Sequence, residues 1–152
     1  MISFNVFKNG KLLSSNTSEE LIKKNQDKIL FILHGLYGRG KNWHTFAKKY
    51  SSDRDQLVIT ANLRNHGGNE FKKEQSYLLM AEDIMEIINY LGVSKIDLLG
   101  HSMGGKLAMV ITMLDRSYID KVVVADIAPV NYSEDNQNII DILMSLDLDF
   151  IK

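Results

Sequence analysis

Residues 95–105 read KIDLLGHSMGG, an apolar run of strand character that closes on Gly100-His101-Ser102-Met103-Gly104 and passes into a helical pattern. A serine in this G-x-S-x-G setting stands at the tip of a sharp strand-to-helix turn, where its hydroxyl is exposed and a base can reach it. The spacing has a steric reason. So tight a turn strains the serine backbone and brings its flanks together, so side chains in place of Gly100 and Gly104 would collide. The competing reading of Ser102 is an ordinary serine at a helix start, or a phosphate loop, because strand, glycine-rich turn and helix also open a dinucleotide site. The G-x-G-x-x-G spacing of such a site is not met, which favours the nucleophile.

Outward from this turn the chain alternates strand and helix signals, the pattern of a doubly wound α/β fold with a mostly parallel sheet. KILFIL at 28–33 is apolar after its first residue, as expected of a central parallel strand covered on both faces. QLVITA at 56–61 predicts the next strand, and 122–127 another that Pro129 ends. A helix is predicted over 41–51 with Trp43, Phe46, Ala47 and Tyr50 as its apolar face. The strongest helical pattern runs over 75–91, with Leu78, Ala81, Met85, Ile88 and Leu91 on one stripe and Gly92 as its stop. A third helix, 103–114, should bury Leu107, Ala108, Ile111 and Leu114. At the N-terminus, 2–7 and 11–14 predict a β-hairpin joined by Asn9-Gly10, the dipeptide of a tight primed turn. Residues 16–27 read as polar connector, and Ser133 as the cap of a last helix carrying Ile139, Ile140, Leu143 and Leu146.

At 152 residues, 45% hydrophobic and 24% charged, the chain describes one soluble domain with enough apolar material for a core. Its 18 basic and 19 acidic residues leave a net charge of -1, so there is no electrostatic reason to expect nucleic acid or an anionic membrane as partner. The absence of cysteine rules out a disulfide framework and thiolate metal sites and fits a reducing compartment. Asn5, Lys8, Asn9 and Lys11 interrupt the N-terminal apolar stretch, so no secretory or membrane-spanning segment is expected there, and the chain reads as cytoplasmic.

Open sheets of this class place function at the carboxyl ends of their strands. The motifs that fall there are HGLYG at 34–38, LRNHG at 63–67, GHSMGGK at 100–106 and DIAPV at 126–130. Together, and in this order, they resemble the YbfF-type serine esterases of the α/β-hydrolase superfamily over about residues 28–132. The resemblance implies an esterase of small acyl esters, with acyl thioesters as a further class, working through an acyl-enzyme on Ser102 without metal or organic cofactor. It implies an oxyanion hole built from the backbone N–H groups of Met103 and Leu36, the latter resting on the resemblance alone. Asp126 is then either the orienting acid of the triad or a loop aspartate capping the turn before Pro129, since related enzymes place the acid here or one strand later. Asn62 departs from the family, whose members carry Asp at that place.

A larger departure concerns the base. The family's triad runs Ser, acid, His along the chain, yet the four histidines here are His34, His44, His66 and His101, none of them beyond Ser102. His34 and His101 read as structural, and His66 as loop structure with a substitute base as the alternative. Arg64 reads as a tie within its loop. The expectation is therefore one partial α/β-hydrolase domain over 1–152, lacking the C-terminal strands and lid, with 132–152 as the start of the lid region. Two functional readings follow: an esterase, or a catalytically inactive amino-terminal half such as a split gene would leave. A second polypeptide carrying the other half would reconcile them.

Overall fold

The computed structural model of the protein describes residues 1–13, 22 and 29–130. The predicted connector lies outside these residues except for Ile22, which is fully buried, and so do the predicted helix after Ser133 and the lid region.

Six strands make one sheet in the order β2-β1-β4-β3-β5-β6. These are β1 (Phe4–Lys8), β2 (Lys11–Leu12), β3 (Ile29–Leu33), β4 (Leu57–Ala61), β5 (Ile96–His101) and β6 (Ile119–Ala125). The hairpin of β1 and β2 turns on Asn9 and Gly10, both at positive φ (49° and 74°) as a primed turn demands. β1 lies antiparallel to β4, and β4, β3, β5 and β6 run parallel. The chain leaves β3 towards β4 on one side and comes back to β5 on the other. The strand order therefore reverses at the carboxyl ends of β3 and β5, where sheets of this kind open a crevice.

β3 and β4 are buried at every residue because helices lie over both faces. On one face α2 (Tyr77–Leu91) and α3 (Met103–Leu114) pack Ile84, Ile88, Leu107 and Ile111 against Phe31, Ile59 and Leu98. On the other, α1 (His44–Asp53) brings Ala47 onto Leu30, Ile32, Val58 and Phe7. Alternate residues of each strand thus feed opposite cores. No helix among the described residues is long and apolar enough to cross a membrane.

Several element details differ from the sequence expectations, each for a reason of packing. α2 starts at Tyr77 with the Ser76 side chain as its cap, and its buried face is Met80, Ala81, Ile84, Ile87, Ile88 and Leu91, while Leu78 is exposed. The face rotates because Asp83 is turned inward to meet Arg64. Leu114, at the end of α3, is also exposed. β6 begins earlier than expected, at Ile119, because its ladder with β5 starts there although Asp120 and Lys121 are solvated. The segment from Gly40 opens with a 3-10 turn (Gly40–Trp43) before α1, and of its four predicted apolar positions Ala47 alone is fully buried. α1 covers β1, β3 and β4. Beside it no described helix lies over β5 and β6, so Leu99 is half-buried and Val123 is 52% exposed.

Candidate active site

β5 delivers Ser102 to the crevice and α3 starts at the next residue. Ser102 has φ 51° and ψ −118°, a combination sparsely populated by L-residues that costs on the order of 1–3 kcal/mol. The surroundings hold it there. Its N–H donates to the Ala125 carbonyl at 2.9 Å, and its own carbonyl accepts from the N–H groups of Gly105 (2.8 Å) and Lys106 (3.2 Å). A Cβ on Gly100 would be driven into the Gly104 carbonyl, and one on Gly104 into the carbonyls of Leu33 and His34. The collision expected from the spacing is thus real. It involves β3 as well as the two flanks of the turn.

Two backbone donors lie near this serine without partners. Met103 is the first residue of α3, so its N–H has no intrahelical acceptor, and it makes no hydrogen bond among the described residues. The Leu36 N–H is equally free among them, on the loop that follows β3. That loop touches the turn, since a Cβ on Gly35 would come within 3.3 Å of Ser102 Cβ. The positive end of the α3 dipole faces the same place, which favours negative charge there.

The loop after β3 hangs from the loop after β4. His34, 1% exposed, donates from Nδ1 to the Gly35 carbonyl at 2.8 Å, and its Nε2 accepts from the Leu63 N–H at 3.0 Å. The carbonyl can only accept, so the tautomer follows from its neighbours. Asn62 Oδ1 accepts from the Gly40 N–H at 2.8 Å and Asn62 Nδ2 donates to Ser3 Oγ at 2.8 Å. Asn62 therefore ties three segments together. Arg64 anchors this second loop to α2 through a two-pronged pair with Asp83 (2.7 and 2.8 Å) and bonds to the Glu74 and Leu79 carbonyls. The sequence reading of Arg64 as a tie agrees with this. It missed Asp83, whose signal was a carboxylate on the core face of a helix.

Burial lowers the His34 pKa from 6.5 to about 4. Between these values the unfolded chain binds a proton that the folded one refuses, so this contribution to stability is complete above pH 6.5 and is lost as pH falls towards 4. The expected slope is about 1.4 kcal/mol per pH unit. Urea unfolding at about pH 7 and about pH 4.5 measures it. A His34→Asn variant that kept the whole slope would assign the titration to another group.

The other imidazoles are engaged elsewhere. His66 donates from Nδ1 to the Arg64 carbonyl at 2.7 Å, within its own loop, and His44 lies edge-on to Phe7 with ring centres 4.8 Å apart. His101 turns to the α1 side, 6.2 Å from the Trp43 ring, with Nε2 3.6 Å from Asp126 Oδ2. None of the four hydrogen-bonds Ser102. Asp126 follows β6 at φ 58° with its side chain 86% exposed. A cavity of about 950 Å³ runs along α1 past Leu36, Trp43, Phe46 and Tyr50 to His101. Ser102 does not line it. Trp43 and Tyr50, which line it, pack against the same small core as the half-buried Leu99.

The alpha/beta hydrolase fold family model matches residues 28–150. A putative esterase/lipase of Haemophilus influenzae is 41% identical over 104 residues, which are 68% of this chain and 36% of that protein. Esterase YbfF of Escherichia coli is 36% identical over 103 residues, 68% of this chain and 40% of its own length. Among solved structures, a marine microorganism esterase superposes with a TM-score of 0.75 at 33% identity, over 96% of this chain and 51% of that one. The chain spans less than half the length of these two curated relatives and about half of the solved esterase. With the parallel sheet, the strained serine turn and these matches in agreement, the chain belongs to the alpha/beta hydrolase fold family.

Proposed function

We propose that this chain is the nucleophile-bearing part of a serine esterase acting on small acyl esters, with acyl thioesters as a further substrate class. The single observation that carries the reading is the strained backbone of Ser102 between β5 and α3. In the reaction Ser102 Oγ attacks the acyl carbonyl while a base takes its proton, and the N–H groups of Met103 and Leu36 hold the oxyanion. The base returns the proton to the leaving alcohol, and water then releases the acyl group from Ser102. Asp126 is the orienting acid in this scheme, its support being its place directly after β6 at the carboxyl end of the sheet.

All four histidines are accounted for in other contacts, so the base in this scheme comes from outside these 152 residues. The remainder of the relatives' fold would supply it, carried by a second polypeptide in our reading, and would pack on the side of β5 and β6 that no described helix covers. Taken alone, the chain would then be close to inactive, because losing a triad member leaves only the modest catalysis of the oxyanion hole.

Free imidazole in solution can stand in for the absent side chain. Hydrolysis of a short-chain chromogenic ester is expected to rise with imidazole concentration in the protein and not in Ser102→Ala, after subtraction of imidazole's own reaction. Rates equal to those of Ser102→Ala at every concentration would remove the esterase reading for this chain.

A further inference from the structure

The Leu36 N–H can hold an oxyanion only if its peptide plane is turned the right way, and that plane has an unusual restraint. Two donors converge on the Gly35 carbonyl: His34 Nδ1–H at 2.8 Å and the Gly38 N–H at 3.0 Å. In a trans peptide the C=O and the following N–H point in opposite directions. Pinning the Gly35 oxygen inward therefore turns the Leu36 N–H outward. A Cβ on Gly35 would come within 2.9 Å of His101 Nδ1 and 3.3 Å of Ser102 Cβ, so the serine turn is the neighbour on this side of the loop.

The imidazole is itself held at its other nitrogen. Leu63 N–H donates to His34 Nε2 across 29 residues of chain, and Leu63 lies next to Arg64, whose buried pair with Asp83 fixes the loop to α2. The ring is thus wedged between two loops, one hydrogen bond to each. We propose that His34 is a positioning residue: its Nδ1–H aims the Leu36 amide at Ser102, and Leu63 keeps the ring in place to do so. This rests on the oxyanion role given to Leu36 under the esterase reading. It adds a residue that acts on the reaction without touching substrate.

Two substitutions separate aiming from mere structural support. Asparagine at 34 can place an amide N–H near the former Nδ1 and keep the bond to Gly35, whereas glutamine reaches the former Nε2 position and keeps the acceptor for Leu63. The orientation of the Leu36 N–H vector, read from residual dipolar couplings of the ¹⁵N-labelled chain, is expected to be the same in wild type and His34→Asn and to change in His34→Gln. With free imidazole supplied as the base, the rate of Ser102 labelling by a fluorophosphonate should fall on the order of 100-fold in His34→Gln and far less in His34→Asn. An unchanged Leu36 vector in a folded His34→Gln overturns the proposal. So does a wild-type vector that points into the core and away from Ser102, a measurement that needs no variant to fold. Failure of the wild type to label even at high imidazole would count against the esterase reading instead, and the couplings would still decide the role of His34.

Discussion

Gly104→Ala is expected to destabilise the protein by about 3 kcal/mol and to remove Ser102-dependent ester hydrolysis along with that stability. The Cα of Gly104, in the first turn of α3, lies against the end of β3, and an added methyl would be driven into the Leu33 and His34 carbonyls. Those carbonyls belong to backbone, and β3 is paired on both sides, so they cannot retreat. The helix has to lift instead. Lifting α3 carries the Met103 N–H away from the loop that bears Leu36 and relaxes the turn that strains Ser102. Gly92→Ala is the informative comparison, since Gly92 sits at φ 63° with open space around it. There alanine meets backbone strain without collision and should cost about 1 kcal/mol with hydrolysis retained. Urea unfolding and the imidazole-assisted ester assay on both variants read the difference. Wild-type stability and hydrolysis in Gly104→Ala would show that α3 does not approach β3 as closely as described.

Asp83→Ala should cost about 3–5 kcal/mol, because it leaves the Arg64 guanidinium buried without its counter-charge. Arg64 is 9% exposed and Asp83 5%, and hydrogen bonding to Asp83 raises the already high pKa of the arginine, so it has no neutral form to retreat to. The Glu74 and Leu79 carbonyls remain as acceptors at 3.3 and 3.4 Å, too weak and too neutral to replace a carboxylate at 2.7 Å. Replacing both partners with apolar residues, Arg64→Met with Asp83→Leu, should recover most of the loss, since no charge is then left stranded. A double-mutant cycle by urea unfolding measures this directly. A single Asp83→Ala variant within about 1 kcal/mol of wild type would mean that water reaches Arg64 and that the loop after β4 is not anchored in this way.

The serine turn was legible because everything that makes it is local: an apolar strand, two small residues at fixed offsets and the start of a helical pattern, all within 95–105. The hairpin was legible for the same reason, Asn9 and Gly10 being residues that accept the left-handed backbone the turn requires. The buried face of α2 was misjudged because Leu78 and Met85 fit a helical stripe as well as Met80 and Ile84 do. What chooses between them is the inward turn of Asp83 towards an arginine 19 residues away. The apolar positions of α1 were identified but not their exposure, since Trp43, Phe46 and Tyr50 are covered only as far as the sheet beside them is covered.

By itself the sequence determined that strands alternate with helices, that Ser102 is presented on a constrained turn, and that no histidine follows it. Periodicity, glycine spacing and the order of residues are properties of neighbours along the chain. Only the tertiary structure decided which loops hold one another: Asn62 on Gly40, Leu63 on His34, Arg64 on Asp83. Each of these bonds joins residues brought together by strand order, and hydrogen bonds between distant segments leave no periodic trace in the chain that makes them.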